Sequence, residues 1–278
     1  MGLRIYNPTS PGRRKSSVND YAELIGQQQP AKSLMRVKIS SGGRNMAGRI
    51  TVRHRGGGNK RQYRLVDFRQ TRFGQPATVL GIQYDPNRST HVALIEYPDK
   101  SQSYILAPQD MKIGQSVVSS LERVEIVVGN RTTLTNIPAG IPIHNVELRP
   151  GRGGVLVRSA GNNTTVMSIE GDYALLKMPS GEIRKVLKTN MASIGQLSNV
   201  DHGNIRWGKA GRMRWRGFRP SVRGKAMNPV DHPHGGGEGH NPIGLPYPKT
   251  PWGKHASGVK TRHQKKYSRH LIISRRPR

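Results

Sequence analysis

The chain has 278 residues, of which 46 are Lys or Arg, 16 are Asp or Glu and none is Cys, so its formal net charge is +30. The lack of cysteine excludes disulfides and thiolate metal sites, and the sequence has no run of about 18 apolar residues to span a membrane and no apolar secretory signal. So large a positive charge indicates a polyanionic partner.

The positive charge is concentrated at the two ends of the chain. Residues 1–64 hold 14 basic and two acidic side chains, and residues 203–278 hold 18 and two, whereas residues 65–120 hold five of each. Residues 121–202 are also nearly balanced, with nine and seven. This distribution predicts a small globular body with two polyanion-binding extensions that become ordered on their partner.

The composition predicts a mainly β protein, since 33 glycines and 19 prolines favour turns and short strands over helices. We expect two small barrels between long, irregular, basic extensions at both termini. The predicted segments are an N-terminal extension at 1–41, an oligonucleotide-binding-type barrel at 42–119, an SH3-like barrel at 120–202 and a Gly/Pro/Arg-rich extension at 203–278.

The first chemically informative stretch reads RHRGGGNKRQYR, with three glycines between basic clusters. Without Cβ atoms, the glycine backbone can approach phosphates that the arginines neutralise. The alternative is a flexible surface loop. The predicted RNA-binding residues in and beside this stretch are Arg49, Arg53, His54, Arg55, Gly56, Gly57, Gly58, Asn59, Lys60, Arg61 and Arg64.

The neutral centre shows strand alternation in two places. The first reads ATVLGIQYD, HVALIEY and SYILA, which predicts a meander that makes about five strands with the preceding GRITVRHRGGGNKRQYRLVDF. The second, NTTVMSIEGDYALLKMPSGEIRKVL, predicts three strands punctuated by Gly171-Asp172 and Pro179-Ser180-Gly181. Arg152 and Arg158, which lie between RVEIVVGN at the start of this second unit and its three strands, are also predicted to bind RNA.

All three tryptophans lie in residues 203–278, and two of them are in RWGKAGRMRWRGFRPSVRGKAMNP. Aromatic rings can stack on unpaired bases while guanidinium groups bind phosphates, although the rings could instead pack against the protein's own barrels. The predicted RNA-binding residues in this part of the chain are Arg206, Trp207, Lys209, Arg212, Arg214, Trp215, Arg216, Arg219, Arg223, Lys225, Asn228 and Trp252.

The segment DHPHGGGEGHNP admits three interpretations, namely a metal site, a catalytic base or an RNA-bound loop. His232, His234, Glu238 and His240 could ligate a metal, or a histidine could act as a base beside Asp231. A glycine-rich loop holds catalytic groups poorly, however, and no second cluster completes a site. We therefore expect a loop inserted tightly into RNA. Its predicted contacts are His232, His234, Gly235, Gly236 and Gly237, with no catalytic residue and no metal site.

Several strings together resemble the bacterial-type large-subunit ribosomal protein two family over nearly the whole chain. They are RGKAMNPVDHPHGGGEG, SGGRNMAGRITVRHRGGGNKRQYRLVDF, QYDPNRSTHVALIEY, YILAP, NIPAGIPIHNVELRPGRGGVLVRSAG and TPWG. The resemblance implies the same two barrels, with both termini extended into large-subunit (23S-type) rRNA. In the family the first histidine of the DHPH string is linked to peptidyl-transferase activity. That residue is His232 here, and we expect it to be a structural contributor.

The resemblance also implies the partners. Besides the rRNA, these are the small ribosomal subunit at an intersubunit bridge, other large-subunit proteins and, indirectly, tRNA, with neither a membrane nor a homo-oligomer. It implies a scaffold that supports the peptidyl-transferase region, not an enzyme. No cofactor is expected, apart from magnesium held through the rRNA. The location would be the bacterial cytoplasm or an organelle.

Two other classes of protein remain as alternatives at this stage. A nucleic-acid-condensing protein would also be basic, but it would usually be Lys-rich and repetitive, whereas this chain has 30 Arg and 16 Lys and no repeat. A metal-dependent nuclease or hydrolase would use His232, His234 and Glu238 with bound ions.

Overall fold

The computed structural model describes residues 2–276, which form 17 short strands, one α-helix and five 3-10 turns. The strands are β1 (Leu3–Ile5), β2 (Ser17–Asn19), β3 (Met35–Val37), β4 (Gln62–Arg64), β5 (Ala77–Gln83), β6 (Val92–Glu96), β7 (Gln102–Leu106), β8 (Ser116–Val117), β9 (Arg131–Thr133), β10 (Pro142–His144), β11 (Val146–Glu147), β12 (Gly154–Leu156), β13 (Thr164–Glu170), β14 (Tyr173–Lys177), β15 (Ile183–Leu187), β16 (Met191–Ile194) and β17 (Ile272–Ser274). The helix is α1 (Ala210–Trp215), and the 3-10 turns are Lys32–Leu34, Leu134–Asn136, Val200–Asn204, Gly224–Ala226 and Tyr267–Arg269.

The chain forms two compact units. The first contains residues 2–39, 60–209 and 270–276, and the second contains residues 40–59 and 210–269. Residues 40–59 thus pack with the C-terminal segment. Each of the four predicted segments is continuous in sequence, whereas each unit combines separate parts of the chain. The predicted segment boundaries therefore stay a prediction.

The predicted meander is confirmed in the first unit as strands β5, β6 and β7. With β8 they form an antiparallel sheet in the order β7-β6-β5-β8. Side chains on one face, including Val79, Ile95 and Ile105, form a buried apolar cluster with Met111 and Val117. The strands form where the sequence alternates between apolar and polar residues and end at its turn residues.

The stretch before the meander is different from the prediction. Residues 48–61 contain no strand, and β4 is the only strand between residue 48 and the meander. β4 pairs with β3 in a separate two-stranded sheet. The reason is local: Gly56, Gly57 and Gly58 all have positive φ, which is incompatible with an extended strand.

Part of the predicted N-terminal extension belongs to the first barrel. Residues 25–31 lie along β5, where Gln27 donates from its backbone to the carbonyl of Leu80 (3.2 Å) and Ile82 to that of Ile25 (2.9 Å). The buried Gln83 amide donates to the carbonyl of Gln27 (2.8 Å). A Cβ at Gly81 would lie 2.5 Å from the Gln27 nitrogen, so the close approach requires glycine there. These contacts place the segment against the sheet of the first barrel, and the expectation that the extensions become ordered on their partner stays a prediction.

The second barrel contains the three predicted strands as β13, β14 and β15. They belong to a seven-stranded sheet in the order β17-β15-β14-β13-β10-β16-β9. Its apolar cluster includes Leu134, Ile143, Val166 and Leu176. The turns at Gly171 and Gly181 have positive φ, as the sequence predicted from their turn residues. The mainly β architecture with two small barrels, the first of oligonucleotide-binding type and the second SH3-like, is confirmed.

A buried ion pair lies where the two barrels join. The guanidinium of Arg131 is 3.1 Å from the Glu147 carboxylate, and both side chains are at most 1% exposed. Arg131 also donates to the carbonyl of Asn145 (2.9 Å), and Glu147 accepts backbone N–H groups from Gly153 (3.1 Å) and Met191 (3.3 Å). Burial lowers the pKa of Arg131, and the charge of Glu147 opposes that shift. The carboxylate of Glu147 therefore offsets part of the cost of burying the guanidinium of Arg131.

Removing one partner of this pair should destabilise the protein far more than replacing both. For Glu147→Leu we expect a loss of about 3–5 kcal/mol in the free energy of unfolding, because an unpaired guanidinium remains buried. The double variant Arg131→Met/Glu147→Leu should recover at least half of that loss. Urea unfolding of the full chain, followed by far-UV circular dichroism, measures both values. Equal losses in the two variants would contradict this account.

Candidate nucleic-acid interface

Nearly all charged side chains of the second compact unit are basic. Its residues, 40–59 and 210–269, contain 17 Lys and Arg side chains and only two acidic ones, Asp231 and Glu238. Two carboxylates can neutralise only a small fraction of 17 cations, so the charge must be balanced by solvent ions or by a partner. The unit is therefore the strongest candidate for a polyanion interface.

The first glycine run is held against the chain that follows helix α1. The backbone N–H of Gly56 donates to the carbonyl of Gly217 (3.1 Å), and that of Asn59 donates to the carbonyl of Trp215 (2.9 Å). The backbone of Arg219 donates to the carbonyl of His54 (3.0 Å). These hydrogen bonds hold the glycine run within the second unit. They therefore disfavour the alternative interpretation of a flexible surface loop.

Gly58 is required at the closest point of this contact. A Cβ there would lie 2.9 Å from the nitrogen of Gly217 and 3.0 Å from the carbonyl oxygen of Trp215, and φ is +93°. A Cβ on Gly57 would meet nothing within 4 Å. Gly58 thus serves packing within the protein, whereas Gly57 borders open space and leaves room for the predicted approach of an RNA backbone.

Helix α1 carries Arg212, Arg214 and Trp215 of the predicted RWGKAGRMRWRGFRP segment. It ends at Trp215, and the following turn is closed by N–H donation from Gly217 to Arg214 (2.9 Å) and from Phe218 to Met213 (3.1 Å). Gly217 has φ +89°, a conformation that favours glycine after a helix. Trp215 is 50% exposed, and the guanidinium of Arg55 lies over the Phe218 ring at 4.1 Å.

The histidine segment is a compact loop with a buried imidazole. His232 is 7% exposed and lies against Gly224, where a Cβ would be 2.6 Å from ring atoms. Its Nδ1 accepts the backbone N–H of His234 (3.0 Å), and His234 Nε2 in turn accepts the backbone N–H of Lys249 (2.8 Å). A Cβ on Gly235 would lie 2.7 Å from the carbonyl of Met227. Side chains are thus excluded here by the protein itself.

The hydrogen bonds of these two histidines bear on metal binding. A nitrogen that accepts an N–H group has no free lone pair for a metal ion. Among residues 2–276, no group of three or more His, Asp or Glu side chains is arranged to hold a metal. Asp231, Glu238 and His240 are exposed.

Several predicted RNA-binding residues belong to the first unit, and some are engaged there. Arg64 is buried with its guanidinium 3.7 Å from Asp85, and Arg61 donates to the carbonyl of Pro86 (2.7 Å). Arg158 lies over the Phe68 ring at 4.6 Å. The burial of Arg64 beside a carboxylate indicates a role inside the protein and disfavours the predicted phosphate contact.

The other predicted residues differ in exposure. Trp207 is partly buried and pairs through its backbone with Ser16 in an isolated bridge. Arg206 exchanges hydrogen bonds with Ser17. The exposed members of the predicted set are Arg49, Arg53, His54, Arg55, Gly57, Gly58, Asn59, Lys60, Arg152, Arg158, Arg206, Lys209, Arg214, Trp215, Arg216, Arg219, Arg223, Lys225, Asn228, Gly237 and Trp252.

The second unit also exposes basic side chains that the sequence motifs did not identify as RNA-binding. Arg44, Lys254 and Lys260 are exposed in the second unit, as are Lys265 and Lys266. No residue pattern surrounds them, so their only signal in the sequence is the regional excess of positive charge.

Two family models match the chain and together cover most of it. The model for Ribosomal Proteins L2, RNA binding N-terminal domain, matches residues 31–119, and the model for Ribosomal Proteins L2, C-terminal domain, matches residues 127–253. The chain belongs to the ribosomal protein L2 family. Both family domains contribute to the cationic unit, since residues 40–59 fall in the first match and residues 210–253 in the second.

Family membership supplies the coarse function. The chain has a structural, RNA-binding role in the large ribosomal subunit and is associated with the ribosome. Within residues 2–276, no helix has the length and apolar character needed to cross a bilayer.

The two glycines of the first run should respond differently to substitution. Gly58→Ala should destabilise the second unit by about 2 kcal/mol or more, because the new Cβ meets backbone atoms and φ is positive. Gly57→Ala should cost only the strain of a left-handed residue, about 1 kcal/mol. Urea unfolding followed by tryptophan fluorescence compares them.

RNA binding at the glycine run can be tested by comparing a substitution of Gly57 with one of Arg55. Gly57→Val leaves the contacts of the unit in place, so a loss of rRNA affinity larger than that of Arg55→Lys would report RNA close to this backbone. If Gly57→Val bound rRNA normally, Gly57 would face solvent in the complex.

Proposed function

We propose that this L2-family chain scaffolds large-subunit rRNA beside the peptidyl-transferase region and that its cationic second unit is the main RNA-contacting surface. In this proposal the chain also contacts the small subunit at an intersubunit bridge and acts on tRNA only through the rRNA. It performs no catalysis, and any magnesium at the interface is held by the rRNA. Its ribosome is that of a bacterial cytoplasm or an organelle.

The observation that carries the proposal is the 17 to two ratio of basic to acidic side chains in the second unit. Exposed aromatic rings accompany the cations, and Arg–phosphate contacts with aromatic stacking are the usual combination in the recognition of folded or single-stranded RNA. The first unit is less one-sided, with 28 basic and 14 acidic side chains among its described residues. Its barrels would fix the register of the protein on the rRNA.

Salt dependence tests this assignment. Binding of the full chain to a large-subunit rRNA transcript should weaken linearly on a log–log plot against salt, because each phosphate contact releases counterions. The triple variant Arg214→Gln/Arg219→Gln/Arg223→Gln should lower the slope by about 2–3 units, on the order of 0.7–0.9 per contact. Filter binding at several potassium concentrations gives the slope.

A control of equal charge separates a defined interface from diffuse attraction. Lys100, Lys112 and Lys177 are exposed cations of the first unit, and their replacement by Gln removes the same charge. We expect that control to change the slope by less than one unit. Equal effects of the two triple variants would refute the assignment of the second unit as the main interface.

His232 offers a second test, which separates a scaffold from a catalyst. Asparagine places an acceptor oxygen near the position of Nδ1, whereas glutamine places one near Nε2. A structural His232 should therefore tolerate His232→Asn better than His232→Gln, because only Asn can still accept the N–H of His234. The measurement is the yield of active large subunits after reconstitution.

The catalytic alternative makes the opposite forecast. A general base would be lost equally in both variants, and the pH profile of single-turnover peptide transfer would lose one ionisation in both. We expect the surviving particles to keep the wild-type profile. Loss of the ionisation at normal subunit yield would overturn the structural role of His232.

A further inference from the structure

The histidine loop is connected to the turn that carries the most exposed tryptophan. His232 Nδ1 accepts from the backbone of His234, and His234 Nε2 accepts from the backbone N–H of Lys249 (2.8 Å). Lys249 directly precedes Thr250-Pro251-Trp252-Gly253. His234 thus holds Lys249, the residue immediately before the turn, through this hydrogen bond.

The turn itself is a small closed structure. Thr250 and Lys254 are joined by a backbone hydrogen bond (2.7 Å), Gly253 donates to the carbonyl of Thr250 (2.9 Å), and Ala256 donates to that of Pro248 (2.9 Å). The rings of Tyr247 and His255 stack across its base with their planes 14° apart. Trp252 at the tip is 74% exposed. A rigid turn therefore holds a large apolar ring out in solvent.

A cation from the other segment of the unit lies beside this ring. The Arg53 guanidinium is 5.2 Å from the Trp252 ring centroid. The next residue, His54, is held by two contacts: its carbonyl accepts the N–H of Arg219 (3.0 Å), and its Nδ1 lies 3.1 Å from the carbonyl of Pro220. The pair therefore combines a π-surface with a phosphate-binding group.

We propose that Trp252 and Arg53 form a platform for one unpaired nucleotide, and that His234 is a positioning residue that aims the tryptophan at it. The base stacks on the indole and the phosphate pairs with the guanidinium. This inference rests on the proposed rRNA-binding function and gives the histidine motif a role in addition to loop packing. An RNA partner is favoured over a protein because the surrounding unit is so strongly cationic.

The platform can be tested first by affinity. Trp252→Ala in the full chain should weaken binding to a large-subunit rRNA transcript by roughly ten-fold, within the range measured for single base–aromatic stacks, while Trp252→Phe should retain most of it. The salt slope should not change, because the indole is uncharged. Val230→Ala is the matched control, since Val230 is a 92% exposed apolar residue of the same unit. Normal affinity of Trp252→Ala would overturn the platform.

The positioning role of His234 is tested by isosteres with the opposite preference to those at His232. His234→Gln keeps an acceptor near Nε2 for the Lys249 N–H, whereas His234→Asn does not. Both are made in a Trp207→Phe/Trp215→Phe background, so that Trp252 is the only fluorophore of its kind. Adding the transcript should quench Trp252 fluorescence in the parent and in His234→Gln, and much less in His234→Asn. Equal quenching in all three proteins would refute the positioning role.

The failures of the two proposals are distinguishable. If the full chain shows no salt-sensitive preference for the large-subunit transcript, the proposed function fails. If that preference is intact but Trp252 is not quenched and Trp252→Ala binds normally, only the platform fails. If Trp252→Ala weakens binding but the His234 isosteres behave alike, the platform stands without its positioning residue.

Discussion

Repulsion between like charges is the constraint that governs the second unit. Seventeen cations with two carboxylates cannot be stabilised by internal ion pairs, and the three buried apolar clusters of the described residues all lie in the first unit. What holds the second unit together is backbone hydrogen bonding across glycines, one short helix and a few ring contacts. Such a structure gains stability whenever an anion neutralises it, so folding of this unit and RNA binding should be thermodynamically linked.

The first unit differs because it has buried apolar clusters and its buried charges are paired. Its few buried charges are compensated: Arg131 pairs with Glu147, and Asp85 is shared by Arg64 and Arg88. Each pair joins segments that are distant in sequence or turns that would otherwise splay. The oligonucleotide-binding and SH3-like barrels therefore provide rigid supports, whereas the cationic unit can depend on its partner.

Sequence patterns predicted those features whose causes are local. The strands β5–β7 and β13–β15 follow from alternation and turn residues within ten positions of one another. The packing of Gly58 against Gly217 could not be predicted, because the two residues are far apart in the sequence and the run Gly56-Gly57-Gly58 alone looks suited to phosphates. The pairing of Arg64 with Asp85 is hidden from the sequence for the same reason, because Arg64 ends strand β4 and Asp85 follows strand β5. Trp252 is exposed and its RNA contact stays a prediction, whereas the backbone of Trp207 pairs with Ser16.

The pairing of β17 with β15 changes the topology of the C-terminal region. Because Leu271 also accepts a hydrogen bond from Lys185 (2.7 Å), residues 210–269 form a loop closed at both ends on the first unit and not a free tail. Closing a loop of this length costs chain entropy once, during folding, and an RNA ligand then meets a segment of reduced freedom. By pairing with β15, strand β17 restricts the sixty residues from 210 to 269 before RNA binds, which lowers the entropic cost of that binding.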